Sequence, residues 1–391
     1  MTDFAAIISG AGPAGLSAAV LLAKDGVKCA VIAPAIADDP RTTALMQPAM
    51  QMLKFVGLWP AELEAHCAPL KHLHLVDDTG NMLTAPRVEF AASEMNLEEF
   101  GWNVPLAKLV PALAKRAKDL GVTFIEGTSA SAITTENDIS IKTESGESFS
   151  AKVLLIADGA KSKLRQQLGF KVETEHFDQM ALATSFDHSA PHEFISTEFH
   201  KSAGPFTTVP LPGNRSSLVW MQRPARMAEL LALTDQQLAT EIQLETHGIL
   251  GKVSNIGPRK AFQMQSQCAT SFAGKRALLI GEAAHALPPI GAQGLNLSLR
   301  DAAQAADLII DAKDPGAGSI CTQYNTLRRA DVMPRQQMVA LLNRSLLSDL
   351  VPFHLARAGG LAAIANFPPL RGLAMRQGLS PASNLPFAMR G

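Results

Sequence analysis

Residues 281–301 read GEAAHALPPIGAQGLNLSLRD, and this stretch decides the fold. Just before it, residues 277–280 (ALLI) form a short apolar run of the buried-strand type. Pro288 and Pro289 then forbid helix, and Gly291 and Gly294 flank Gln293, so the next helix is expected only beyond the glycines. The first turn of that helix presents free backbone N–H groups and a partial positive charge. A strand end, a Pro-Pro turn and a Gly-rich helix start in one segment therefore predict a cradle for a pyrophosphate or for the electron-rich edge of a flavin.

A second cradle is predicted at the amino terminus. Residues 5–9 read as a buried parallel strand, Gly10-Ala11-Gly12-Pro13-Ala14-Gly15 follows at once, and residues 16–24 are Ala/Leu-rich and helical in character. Gly10 permits the tight turn, Gly12 lets a pyrophosphate approach the backbone, and Gly15 lets the helix lie close to the strand. Gly26 ends the helix and residues 28–32 form a second strand, completing a βαβ start. The acidic residue expected at the end of that strand, to hold a ribose, is absent: Ala33 occupies the place, with Asp38 and Asp39 in the loop beyond.

Composition bounds the function. The chain has 391 residues, 47% apolar and 18% charged, enough for one large or two intimately joined domains. A net charge of -1 gives no basic field for nucleic acid. Cys29, Cys67, Cys268 and Cys321 form no CxxC pair, which argues against a cysteine zinc site or redox dithiol and predicts a reduced, cytoplasmic setting. The amino terminus lacks a basic n-region, and no long uniformly apolar stretch suggests a membrane span.

Between the two cradles, residues 106–120 have amphipathic helical periodicity, residues 122–125 form a strand, and residues 153–156 form another that ends in Ala157-Asp158-Gly159. From about 180 to 270 the texture is β-rich, with strands over 206–211 and 216–220 separated by Pro-Gly-Asn turns. This segment is expected to be an inserted substrate sheet, with Trp220 and Met221 as candidate cavity residues. His72 and His74 share a strand face, His188 and His192 are separated by Pro191, which forbids a helix between them, and His176, His200, His247 and His354 stand singly, so no metal site is expected. From residue 325 onward there are eight Arg and two Asp, with no Lys or Glu, and apolar groups at 346–347, 350–353, 361–364 and 370–375. Such a tail fits either a helical cap or a patch lying on an anionic membrane surface.

Three motifs in this order resemble those of the aromatic-hydroxylase family of flavoprotein monooxygenases, most of all its ubiquinone-biosynthesis branch. The first is the GxGxxG of residues 10–15. The second is Asp158-Gly159 with Ser162 and Arg165 in register. The third is the 281–301 segment, where His285, Pro288, Pro289, Gln293, Gly294, Leu295, Asn296 and Asp301 match. Glu282 stands where the family has Asp, Gly291-Ala292 where it has Ala-Gly, and Ser298 where it has Gly.

The resemblance implies a Rossmann-like α/β FAD-binding domain with a parallel sheet (residues 1–75, 100–175 and 275–330), interleaved with a mixed β-sheet substrate domain (76–99 and 176–274) and a helical C-terminal region (331–391). It implies FAD contacts from Gly10, Ala11, Gly12, Pro13, Ala14, Gly15, Ala33, Arg41, Asp158, Gly159, Gly281, Glu282, Pro289, Gly291, Ala292, Gln293, Gly294, Leu295 and Asn296, with Pro288 beside the substrate. It also implies a reaction in which NAD(P)H reduces FAD, O₂ is captured as a flavin C4a-hydroperoxide, and an electron-rich phenol is hydroxylated without a catalytic side chain. The substrate implied is a polyprenyl phenol, with other quinone-synthesis proteins or the membrane surface as further partners. Two other readings stay open: a hydroxylase of a soluble aromatic acid, and a flavin-poor accessory protein of quinone synthesis.

Overall fold

In the computed structural model, residues 3–80, 84–347, 351–379 and 385–391 are described. The strand Phe4–Ser9 is the centre of an eight-stranded sheet. Its parallel neighbours are Cys29–Ala33 and Ser148–Ile156, which pair outward with Thr123–Glu126 and Ala277–Leu279 in the same sense. Phe4–Ser9, Cys29–Ala33, Ala277–Leu279 and the second half of Ser148–Ile156 are buried nearly throughout, as the middle of a parallel sheet covered on both faces requires, while the outer strand Thr123–Glu126 is partly exposed. The helix Pro13–Lys24 begins with Gly12 as N-cap and proline in its first turn, where the missing N–H costs nothing, and packs against Leu106–Asp119 and Gln293–Ile310.

A nine-stranded mixed sheet lies beside the first. Its main path runs through Lys260–Ala269, Val172–His188, Arg215–Gln222, Gly204–Leu211, Ile195–Lys201, His72–Asp77 and Val88–Ala91. Its parallel pair is His72–Asp77 with Ile195–Lys201. The strand at His72 begins four residues before the boundary at 76, and His285–Ala286, inside the cofactor segment of the sequence, pairs with this sheet through Gln267 and Cys268. A three-stranded sheet of Thr42–Met46, Gly101–Pro105 and Ala68–Leu70 joins the two layers.

The 180–270 stretch also holds two helices that the β-rich reading passed over, Pro224–Ala232 and Asp235–Glu245. The second carries a full capping box, with the Thr234 hydroxyl accepting from Gln237 N–H and the Gln237 side chain accepting from Thr234 N–H. These helices cover the sheet face that holds Trp220, Phe186, Phe206 and Leu218, so Trp220 is fully buried in core. That corrects its candidacy as a cavity residue.

The C-terminal region is helical: Gly318–Leu347, running through Pro334, then Val351–Asn366 and Pro368–Leu379. Among the described residues, four of its arginines form ion pairs within the molecule. Arg328 and Arg335 bond to Asp331, Arg344 to Glu175 and Arg371 to Glu94. The side chains of Leu346, Leu347, residues 351–353 and His354, and all of residue 350, lie outside the described residues.

Candidate functional site

A cavity of about 980 Å³ runs between the two large sheets, near the upper end of the roughly 300–1,000 Å³ typical of ligand clefts. At one end its wall is backbone. The turn Gly10, Ala11, Gly12, Pro13 and Ala14 opens onto it at the start of the first helix. Gly10 adopts φ +116, and a Cβ there would stand 2.3 Å from the Ala157 carbonyl oxygen. Gly15 lies behind, where a Cβ would meet the Gly10 oxygen at 2.1 Å. Gly12, by contrast, has open space over it, as a site for close approach of a ligand demands. These observations fit a pyrophosphate on the helix N-terminus.

Asp158, Gly159, Gly281 and Glu282 continue this wall, and Pro289, Gly291, Ala292, Gln293, Gly294 and Leu295 carry it onward. The helix Gln293–Ile310 begins at Gln293, one residue before the last glycine, because Ala292 takes the left-handed N-cap conformation, φ 54 and ψ 30. Ala292 thus holds a backbone geometry that normally favours glycine. Two of the expected site residues of the segment lie outside the cavity. Asn296 is a staple: its Oδ1 accepts from Met46 N–H at 2.9 Å and its Nδ2 donates to Ala44 and Ala292 oxygens at 2.8 and 2.7 Å. Pro288 is buried behind Pro289.

Burial pushes the Asp158 carboxyl pKa above its ordinary value, opposed by the Ser162 hydroxyl. Ser162 also caps the short helix Lys163–Gln167, accepting from Arg165 N–H at 3.0 Å. Arg165 itself is turned away from the cavity and braces two motifs, donating to Ala283 O at 2.9 Å and Ala160 O at 2.7 Å. Ala33 lines the cavity at the end of its strand, beside Gly127, Thr128 and Ser129, which the sequence reading did not single out. Arg41 lines the cavity too, held by Asp39 through Nη2–Oδ2 at 2.6 Å, and this hydrogen bond, with Glu282 adding to it, outweighs burial and raises the arginine pKa.

Behind the 281–301 segment sits a buried ionic network. Asp301 is fully buried; its Oδ2 accepts from Gly281 N–H at 2.9 Å and His285 Nε2 at 2.7 Å, and its Oδ1 from Arg328 Nε at 2.7 Å. Burial alone would raise the Asp301 pKa, but His285 and Arg328 overcome it and hold it below the usual carboxylate range. Asp331, bonded to Arg300, Arg328 and Arg335, is depressed in the same way.

The other end of the cavity is made of side chains. Ala183, Val209, Val219 and Phe262 form one wall; Leu70, Leu73, Leu75, Phe90 and Phe100 form another; Met338, Val339, Leu342, Ala374 and Met375 close it from the C-terminal helices. Val219 reaches the cavity while Trp220, next along the strand, points into core, as the two-residue period dictates. Met221 shares the face of Val219 but is buried against Phe177, Met264 and Ile290 outside the lining. Among the described residues no group of three metal-ligating side chains occurs. His188 and His192 do meet, ring centroids 5.6 Å apart, without the helix that Pro191 excludes, because the loop turns back after the strand.

Residues 3–337 match the family described as FAD binding domain. The chain is 30% identical over 386 residues to the ubiquinone hydroxylase UbiL of Rhodospirillum rubrum, covering 95% of this chain and 89% of the relative. It is 29% identical over 388 residues to the 3-demethoxyubiquinol 3-hydroxylase of Escherichia coli, covering 95% and 97%. The fold is also that of the p-nitrophenol 4-monooxygenase PnpA of Pseudomonas putida, TM-score 0.79 at 17% identity, covering 97% of this chain and 98% of that one. With a glycine-built cradle joined to an apolar pocket and relatives of this kind along its whole length, the chain belongs to the FAD-dependent aromatic monooxygenases, in the ubiquinone-hydroxylase branch.

Proposed function

We propose that this enzyme hydroxylates the ring of a polyprenylated phenol in ubiquinone synthesis, using FAD, NAD(P)H and O₂. The observation that carries the reading is the continuous cavity in which the glycine-rich cradle opens directly into an apolar chamber closed by the helices Gly318–Leu347 and Pro368–Leu379. In this reading Gly10, Ala11, Gly12 and Pro13 hold the pyrophosphate, Ala33 and Asp39 flank the adenosine, and Gly281, Glu282, Pro289, Gly291, Ala292 and Gly294 hold the ribityl chain and flavin ring. When bound, FAD supplies the redox chemistry; the chain positions the ring and excludes water.

The choice of substrate rests on charge. A soluble aromatic acid needs a cation to meet its carboxylate, yet the charged group on the sheet wall of the chamber is Glu198, and Arg41, at the cradle end, is already held by Asp39. A neutral phenol with an apolar tail suits that wall. Met338, Leu341, Leu370 and Leu373 on the cap helices that close the chamber, and Phe367 just before the last of them, stand exposed, offering apolar contact to the membrane that holds such a tail. Among the described residues no helix is long and apolar enough to cross a membrane. The test is to titrate the apoprotein with FAD by flavin fluorescence, then follow NAD(P)H oxidation and product with a short-chain prenyl phenol and with 4-hydroxybenzoate. Saturable binding and hydroxylation of the prenyl phenol alone are expected. Preference for the acid overturns the substrate, and failure to take up FAD overturns the enzyme.

A further inference from the structure

We infer that Glu198, oriented by His200, is the side chain that accepts the hydroxyl proton of the phenolic ring, an assignment that rests on the hydroxylase reading above. The strand Ile195–Lys201 reads ISTEFHK, so Ser196, Glu198 and His200 alternate onto one face, and Ser196 and Glu198 line the cavity. Glu198 pairs in register with Leu75 on one side and with Thr207 on the other, and Thr207 in turn with Val219. Its surroundings on the wall are thus largely apolar.

A carboxylate in such a wall is costly unless it is bonded or has a task. Glu198 is 6% exposed and His200 1%, and His200 Nε2 lies 2.8 Å from Glu198 Oε1. No cation of the same strand relieves the charge: Lys201 points to the opposite face, where Asp78 and Glu245 hold it at 2.5 and 2.7 Å. Directly across the ladder, Thr207 lines the cavity with its hydroxyl oxygen buried and without a hydrogen-bond partner. Two neighbouring polar groups are therefore left for an occupant to satisfy. An aromatic ring in this chamber that carries a hydroxyl can give its proton to Glu198 and meet the Thr207 hydroxyl at the same oxygen.

The chemistry follows. As a ring carbon forms its bond to one oxygen atom of O₂, the O–O bond breaks and the other oxygen atom leaves as water. The electron pair for the new C–O bond comes from the ring, pushed by the ring hydroxyl, whose O–H bond breaks with the proton passing to Glu198. A carbonyl forms at that ring position. Loss of the proton from the newly oxygenated carbon restores aromaticity, and the proton held by Glu198 returns to the ring oxygen. The reducing electrons come from NAD(P)H. Glu198 is in this scheme a catalytic residue, and His200 a positioning residue.

Glu198→Gln tests the assignment. FAD titration reports whether the variant is folded. Affinities for 2-prenylphenol and for its O-methyl ether, read from perturbation of bound-flavin absorbance, report the hydrogen bond. Wild-type protein is expected to prefer the phenol by about 10- to 100-fold, and E198Q to lose most of that preference, since a bond to a charged group is removed. Hydroxylated product is expected to fall by about 100-fold or more, with NAD(P)H consumption ending in peroxide. His200→Gln moves both readouts in the same direction by less. E198Q with undiminished phenol preference and hydroxylation overturns the role of Glu198. Should E198Q fail to take up FAD, Thr207→Val carries the test: a preference lowered by about fivefold supports the site, and an unchanged one overturns it. Wild-type protein that binds no FAD, or hydroxylates no phenol, overturns instead the reading on which the assignment rests.

Discussion

At one end of the cavity Gly10, Gly12 and Gly281 present backbone, while at the other Glu198, Thr207 and Val219 present side chains. The first end is local: each turn lies between a strand and the next helix, and its shape follows from a few consecutive residues. The second is assembled from strands far apart in the chain, with His72–Asp77 lying parallel to Ile195–Lys201. At Gly10 the backbone cradle admits no side chain, since a Cβ there meets a carbonyl at 2.3 Å. A side-chain wall can change its lining without changing its frame. One end is thereby fixed to one cofactor and the other is free to set the substrate.

The comparison breaks most severely behind the cradle. Asp301→Asn leaves Arg328 and His285 buried against a neutral amide, and a loss of about 3–5 kcal/mol is expected in urea unfolding at pH 7. Because the folded pKa of Asp301 lies below its unfolded value, its contribution is present above about pH 4 and disappears as pH falls through the folded pKa. Wild-type stability should therefore fall on acidification from pH 5 to 3, and more gently in D301N; parallel acid limbs would remove Asp301 from the account. Gly10→Ala is expected to cost about 1–3 kcal/mol and to weaken FAD binding by at least about tenfold, with the sheet wall unaffected.

At the other end, Val219→Trp should leave FAD affinity unchanged while lowering kcat/KM for a prenylated phenol by about tenfold, because it fills the chamber and not the cradle. A parallel loss of FAD affinity would show that the two ends are not separable. The smallest effect sharpens the comparison within the cradle. Ala292→Gly removes about 1–2 kcal/mol of left-handed strain but adds freedom to the unfolded chain, so the Tm of the apoprotein should rise by the equivalent of at most about 1 kcal/mol. A fall would mean that the conformation at 292 is not strained.

Both cradles, and the parallel strands beside them, were legible because their signals sit within about twenty residues of sequence and rest on what glycine and proline permit. The network behind them was half legible: Asp301 and His285 stood out, but Arg328 was read as part of a cationic tail and Arg300 was not singled out. In the fold Arg328 and Arg335 are directed inward onto Asp301 and Asp331, while Arg344 and Arg371 pair with Glu175 and Glu94 nearer the surface. Arg165 was matched by resemblance to the second motif, and in the fold it braces Ala160 to Ala283. The capping box at Thr234 was visible in the sequence and was masked by the surrounding β-rich texture.

The substrate end shows where sequence stops. Trp220 and Met221 were candidates, but the period of two puts Val219 in the cavity and Trp220 in core, and Met221, on the face of Val219, is covered by Phe177, Met264 and Ile290; which parity faces inward depends on helices packed over the other face. His200 stood alone in the sequence reading; two residues away, Glu198 becomes its partner once the strand directs both to one side. The sequence by itself determined the cofactor cradle, because steric limits on a few adjacent residues leave one shape for the turn. The identity of the substrate wall was decided only by tertiary structure, since register and layer packing choose which side of each strand meets the cavity.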